Sequence, residues 1–90
     1  MLSLLDILRR IDAGSLTPAA AIDQSLQAIG AGDAALGTFA CIDPAARPGD
    51  QGPLRGIAVG IKDIIDTSDL PTEYASPIYA GWRPRADASP

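Results

Sequence analysis

Gly52-Pro53-Leu54-Arg55-Gly56-Ile57-Ala58-Val59-Gly60-Ile61-Lys62-Asp63 is the stretch on which the reading of this 90-residue chain turns. Glycine and proline open it as a turn, and the apolar, β-branched run that follows predicts a strand over Ile57 to Lys62. Side chains alternate across a strand, so Ile57, Val59 and Ile61 would share one face and Ala58, Gly60 and Lys62 the other. The second face is nearly bare until the lysine, which leaves room for another segment to approach closely. Asp63 would point to the opposite side from Lys62. Upstream, Thr38-Phe39-Ala40-Cys41-Ile42 predicts another strand, closed by Asp43-Pro44, with Cys41 as inert core.

The first third of the chain carries helix signals instead. Ser3 is placed to cap a helix, with Asp6 three residues on, and Leu4, Ile7, Leu8 and Ile11 recur at helical spacing. Arg9 and Arg10 suit the negative end of the dipole, and Gly14 is a natural residue just past it. Thr17-Pro18 is a second start signal, a capping hydroxyl followed by a proline at the first helical position. Ile22, Leu26 and Ile29 continue that stripe, which Gly30 or Gly32 is expected to end. The expected organisation is one incomplete domain over 1–90. It comprises a helical hairpin over 1–36 with an alanine-rich contact, strands and the lysine region over 37–66, and an irregular segment over 67–90. Residues 44–53 read as a loop. The last segment holds Tyr74, Ile78, Tyr79 and Trp82 without a regular element to carry them, and large apolar groups in such a setting usually cover something.

Composition removes several classes of function. Hydrophobic residues make up 47% of the chain, but no apolar run approaches the roughly 18–20 residues of a membrane span. The N-terminus lacks a basic region and meets Asp6 at once, so no secretory signal is expected. One cysteine and no histidine exclude a disulfide framework and the usual zinc sites. Seven basic residues against eleven acidic ones, a net charge of −4, argue against a nucleic-acid partner. No membrane partner is expected, and the default location is the cytoplasm. The glycine spacing misses both dinucleotide and phosphate-loop patterns. Ser68, Ser76 and Ser89 have no histidine to activate them.

Lys62 admits two readings on spacing alone. It is a strand-end lysine whose stem packs while its ammonium reaches water. Alternatively, it is withdrawn from water, where the neutral amine is favoured and can accept a proton as a general base.

The longer stretch from Gly52 through Lys62-Asp63-Ile64-Ile65-Asp66, with Pro71-Thr72-Glu73 and Ser76-Pro77 downstream, resembles the amino-terminal part of amidase-signature enzymes. The family's usual form is close to GPLxGIPVxVKDxxDxxGxPTxxGS. A helix opened by Leu16-Thr17-Pro18 and a strand carrying Phe39 match the same opening, so the similarity covers essentially the whole chain. The wording of Gly60 to Thr67 looks most like malonamidase and related small-amide hydrolases. The resemblance implies an α/β fold, of which this chain would supply the helical hairpin and the first strands of a mixed sheet. It also implies that Lys62 is the base of a Ser–cis-Ser–Lys triad acting on carboxylic amides, with no metal or organic cofactor. In that mechanism neutral lysine takes a proton through the bridging serine, the second serine attacks the carbonyl, the amine leaves, and water releases the acyl group. Backbone amides of a glycine-rich loop would stabilise the oxyanion.

Three departures from the family's form matter. Ala58 stands where proline is common, and Ala75 where glycine is common, a strain only if that position needs a positive φ. Both triad serines belong to a Gly/Ser-rich run expected beyond residue 90, so this chain alone is expected to be inactive. The expected partners are a small amide substrate, the remainder of the amidase domain (on another chain if the enzyme is split), and a second copy in a homo-oligomer. The competing reading is a small non-enzymatic binding module that uses the aromatic surface of residues 74–82.

Overall fold

The computed structural model describes residues 2–49 and 51–89, so the part of the expected 44–53 loop at Asp50 lies outside the described residues, as do Met1 and Pro90. Two α-helices, α1 over Leu4–Asp12 and α2 over Pro18–Leu36, are followed by irregular backbone and a 3-10 turn at Pro77–Tyr79. The chain forms two compact units: Met1–Gly37 with Pro44–Val59, and Thr38–Asp43 with Gly60–Pro90. No helix among the described residues is long and apolar enough to cross a membrane.

Local chemistry sets the helix ends of the first unit. The Ser3 hydroxyl accepts from the Asp6 amide at 3.2 Å, satisfying an amide that the first turn leaves without a partner. At the other end Gly14 takes φ 76°. The Gly14 amide then donates to the Ile11 carbonyl at 3.1 Å and the Ser15 amide to the Arg10 carbonyl at 3.0 Å, the paired bonds of a Schellman closure. Thr17 caps α2 by accepting from Ala20 at 3.1 Å, with Pro18 following it. This helix does not stop at Gly30 or Gly32. It runs on to Leu36 and ends at Gly37 in the left-handed conformation, φ 63°. Each interior glycine costs about 1 kcal/mol relative to alanine. Ala31, Ala34 and Ala35, the best helix formers, carry the helix across them to a better cap.

The sheet expected from the sequence is not formed. Among the described residues there is no strand, and neither 38–42 nor 57–62 joins a ladder. A strand is stabilised by hydrogen bonds to a neighbour and by burial of one face, and the alternating pattern supplies neither by itself. Val59 is 72% exposed and Ile61 57%, so no buried face exists to fix a register. The boundary between the two units falls inside the expected second strand, between Val59 and Gly60. Cys41, expected in the core, is exposed for the same reason.

What core there is in the first unit is small: among the described residues, Ile11, Ala21 and Ile22 are its buried apolar side chains. Gly56, buried and at φ 86°, is seated against them. A Cβ placed on it would lie 2.9 Å from Ile11 Cδ1 and 2.9 Å from Pro18 Cα. The turn that opens the Gly52–Asp63 stretch thus closes onto the end of α1 and the start of α2 by backbone contact.

The second unit is held by polar bonds rather than by apolar burial. Thr72 is its most deeply buried polar side chain, 1% exposed. Its hydroxyl accepts from the Thr67 amide at 3.3 Å and donates to the Ile65 carbonyl at 3.4 Å, while its amide donates to the Trp82 carbonyl at 2.9 Å. Asp87 accepts from both the amide and the hydroxyl of Ser68, at 2.7 and 3.0 Å, and these bonds hold its carboxyl below the usual range. The Ala88 amide donates to the Asp66 carbonyl at 2.8 Å, and Arg83 donates to the Asp69 carbonyl. Residues 67–89 lack a period but do not lack structure.

Two substitutions test this account. Gly56→Ala must fit a methyl group against the Pro18 backbone, which cannot rotate away, and must hold a positive φ. A loss of about 2–4 kcal/mol is expected in urea unfolding followed by helical circular dichroism. Ala75 has φ 52°, in the left-handed region. Ala75→Gly should therefore raise stability by roughly 0.5–1 kcal/mol, the relieved strain exceeding the entropy that glycine adds to the unfolded chain. An upward shift in the urea midpoint at constant slope is the outcome that checks it.

Candidate functional site

The Lys62-Asp63-Ile64-Ile65-Asp66 segment lies within the second unit and begins with a turn, the Ile65 amide donating to the Lys62 carbonyl at 3.0 Å. Lys62, the only lysine of the chain, is exposed. Gly60, two residues earlier, is bare as the sequence indicated, and a Cβ there would only touch the Phe39 ring edge at 3.9 Å. The carboxylate next to Lys62 in the chain, that of Asp63, is engaged by main-chain amides.

Asp63 has a role that alternation along a strand did not indicate. Its carboxylate accepts from the Glu73 amide at 2.9 Å and, at a longer 3.5 Å, from the Ala75 amide. Its main-chain carbonyl accepts from the Tyr74 amide at 3.0 Å. Three successive amides therefore converge on one residue. They can do so because Tyr74 and Ala75 both have positive φ, 55° and 52°, and the Ser76 amide closes the turn onto the Glu73 carbonyl at 2.9 Å. This is the pattern of a mirror-image turn, which favours glycine, asparagine or aspartate at its centre. Tyrosine and alanine stand there instead, at a cost of about 1–2 kcal/mol each. The amides of Glu73 and Ala75 thus meet an internal carboxylate, and the Tyr74 amide between them meets a main-chain carbonyl.

Further bonds brace the same turn. The Tyr74 hydroxyl donates to Asp66 at 2.8 Å, and that hydrogen bond, followed by the cost of partial burial, holds the phenol above its ordinary range. Glu73 accepts from the Gly81 amide, and the Ser76 hydroxyl caps the 3-10 turn by accepting from Ile78 at 3.3 Å. Tyr74, Tyr79 and Trp82 gather with ring centroids 5.1–6.3 Å apart, and each stays partly open to solvent. Both acidic residues of the Lys-Asp-x-x-Asp segment thus serve one turn some ten residues away, while the lysine that precedes them faces outward. The signal for this was the pairing of two aspartates with a downstream Pro-Thr-Glu, legible as a long-range turn only once the partners are seen.

Among the described residues no group of histidine, cysteine, aspartate or glutamate side chains is placed to hold a metal ion.

The Amidase family model matches residues 15–89, a span that includes the whole Gly52–Asp66 stretch and the turn it anchors. The A subunit of the glutamyl-tRNA(Gln) amidotransferase of Rhodopirellula baltica is 34% identical over 97 aligned positions, covering 93% of this chain and 19% of that protein. Its namesake from Mycobacterium avium is 41% identical over 61 positions, covering 66% of this chain and 12% of that protein. That of Salinispora arenicola is 38% identical over 58 positions, covering 63% and 12%. These relatives are amidotransferase subunits rather than malonamidases, and the chain spans about a fifth of their length or less. On the match over residues 15–89, the chain belongs to the amidase family.

Proposed function

We propose that this chain carries the lysine base of an amide-cleaving site, Lys62, and that the nucleophilic and bridging serines come from a Gly/Ser-rich region outside these residues. The observation that supports it is the family match through the segment that holds the chain's only lysine. A neutral Lys62 amine would take the proton of the attacking serine through the bridging one. The serine oxygen then bonds to the amide carbon, the C–N bond breaks as the nitrogen is protonated, and water or another acceptor removes the acyl group. None of these steps needs a metal or an organic cofactor. Exposed in this chain, Lys62 would have to be covered by the rest of the domain to lose its water and serve as a base. A cytoplasmic location and an assembly with the serine-bearing remainder belong to the same proposal.

The substrate is a carboxylic amide. The name shared by the relatives favours an amide-transferring enzyme, whereas the wording of Gly60–Thr67 favours a malonamidase-type hydrolase. The family match also runs through residues 74–82, which weighs against a stand-alone binding module built on that aromatic surface.

In the complete amidase that carries this segment, Lys62→Ala should lower kcat on a small amide such as malonamate by roughly 10²–10⁴-fold, with the fold intact by circular dichroism. Lys62→Arg should be no better, because a guanidinium stays protonated and cannot accept the serine proton. Near-normal turnover in Lys62→Arg would reduce the residue to a structural cation.

A further inference from the structure

The residue next to the proposed base is anchored through both its side chain and its main chain. Asp63 receives the amides of Glu73, Tyr74 and Ala75 through its carboxylate and its carbonyl, and Lys62 is bonded through its own carbonyl to the Ile65 amide. The backbone that carries Lys62 is therefore tied down at the residue itself and at the residue that follows. A lysine stem has four rotatable carbons, so its amine can be delivered to one place only if its Cα is fixed. Exposed side-chain carboxylates on loops ordinarily face water. This one is half-buried and spent on amides of a turn that two non-glycine residues enter at positive φ.

We propose, building on the reading of Lys62 as the base, that Asp63 is its positioning residue. By gripping the 73–75 turn, Asp63 fixes the main chain at Lys62 and so sets where the amine meets the bridging serine. It touches no reacting atom. Its loss displaces the base without removing it, and a displacement on the order of 1 Å costs about 10²-fold in rate.

The test is steady-state kinetics on malonamate in the complete amidase, comparing wild type, Asp63→Ala, Asp63→Asn, Lys62→Ala and the double variant Lys62→Ala/Asp63→Ala. Asp63→Ala should lower kcat about 10²-fold with KM changed less than about threefold. Asp63→Asn keeps one acceptor oxygen for the Glu73 amide and should recover part of that loss. On the Lys62→Ala background, adding Asp63→Ala should change the residual rate less than about twofold, since a missing base cannot be misplaced. If Asp63→Ala does not accumulate as folded protein, Asp63→Asn carries the same comparison. Normal kcat per folded molecule in the Asp63 variants beside an inactive Lys62→Ala overturns the positioning role alone. An equal fractional loss on both backgrounds also overturns it. Full turnover in Lys62→Ala overturns the assignment of the base, and the positioning role with it.

Discussion

The 73–75 turn of the second unit is gathered onto one residue, Asp63. Its carboxylate accepts from the Glu73 amide and, at longer range, from that of Ala75, and its carbonyl accepts from the Tyr74 amide, at a turn whose central residues hold positive φ without being glycine. Hydrogen bonds to a charged acceptor contribute about 1.5–3 kcal/mol when shielded and less where water competes. That range is comparable to the strain of the two left-handed residues, about 1–2 kcal/mol each. Asp63 therefore offsets part of the turn's cost, beside the Ser76–Glu73 and Tyr74–Asp66 bonds. Once formed, the turn places Tyr74 on Asp66 and leads the chain back so that Thr72 can pair with Trp82.

A chain with so few buried apolar side chains has to be organised in this way. The first unit has three of them among the described residues, and there a glycine, Gly56, allows backbone to approach closely enough for contact to count. The second unit uses a buried threonine and two aspartates to satisfy main-chain groups that no ladder serves. At Gly56 the missing side chain, a weakness for burial, is what permits the close approach to Pro18. The large apolar groups left exposed, Ile78 at 88% among them, are consistent with a segment of a longer family member.

Much of the local structure is legible in the residues. Ser3, Thr17-Pro18 and Gly14 announce the helix ends because capping is decided by neighbours three or four positions away. The end of α2 lies beyond the expected one because Gly30 and Gly32 are weak stops beside alanines, and only Gly37 adopts the left-handed cap. The strands expected over 38–42 and 57–62 do not form because alternation states a preference, whereas a strand requires a partner. The same assumption put Cys41 in a core and turned Asp63 to the side opposite Lys62. Asp63 is hidden as an anchor because its partners lie ten to twelve residues downstream, a distance no local rule spans. Lys62 stands out on a bare stretch, but only its likeness to the amidase family gives it a role.

Amide hydrogen exchange at residues 73–75 tests the central claim most directly, since it reads the bonds to Asp63 without reference to catalysis. Measured by NMR in the wild-type chain and in Asp63→Ala, the Glu73 and Tyr74 amides should be protected in the first. In the variant the Glu73 amide should exchange faster by about tenfold or more, the factor that follows from losing a bond of about 1.5 kcal/mol. Ala20, whose amide is held by the Thr17 cap, should be unchanged. Free exchange of Glu73 and Tyr74 in the wild-type chain, or equal protection in the variant, would contradict the account.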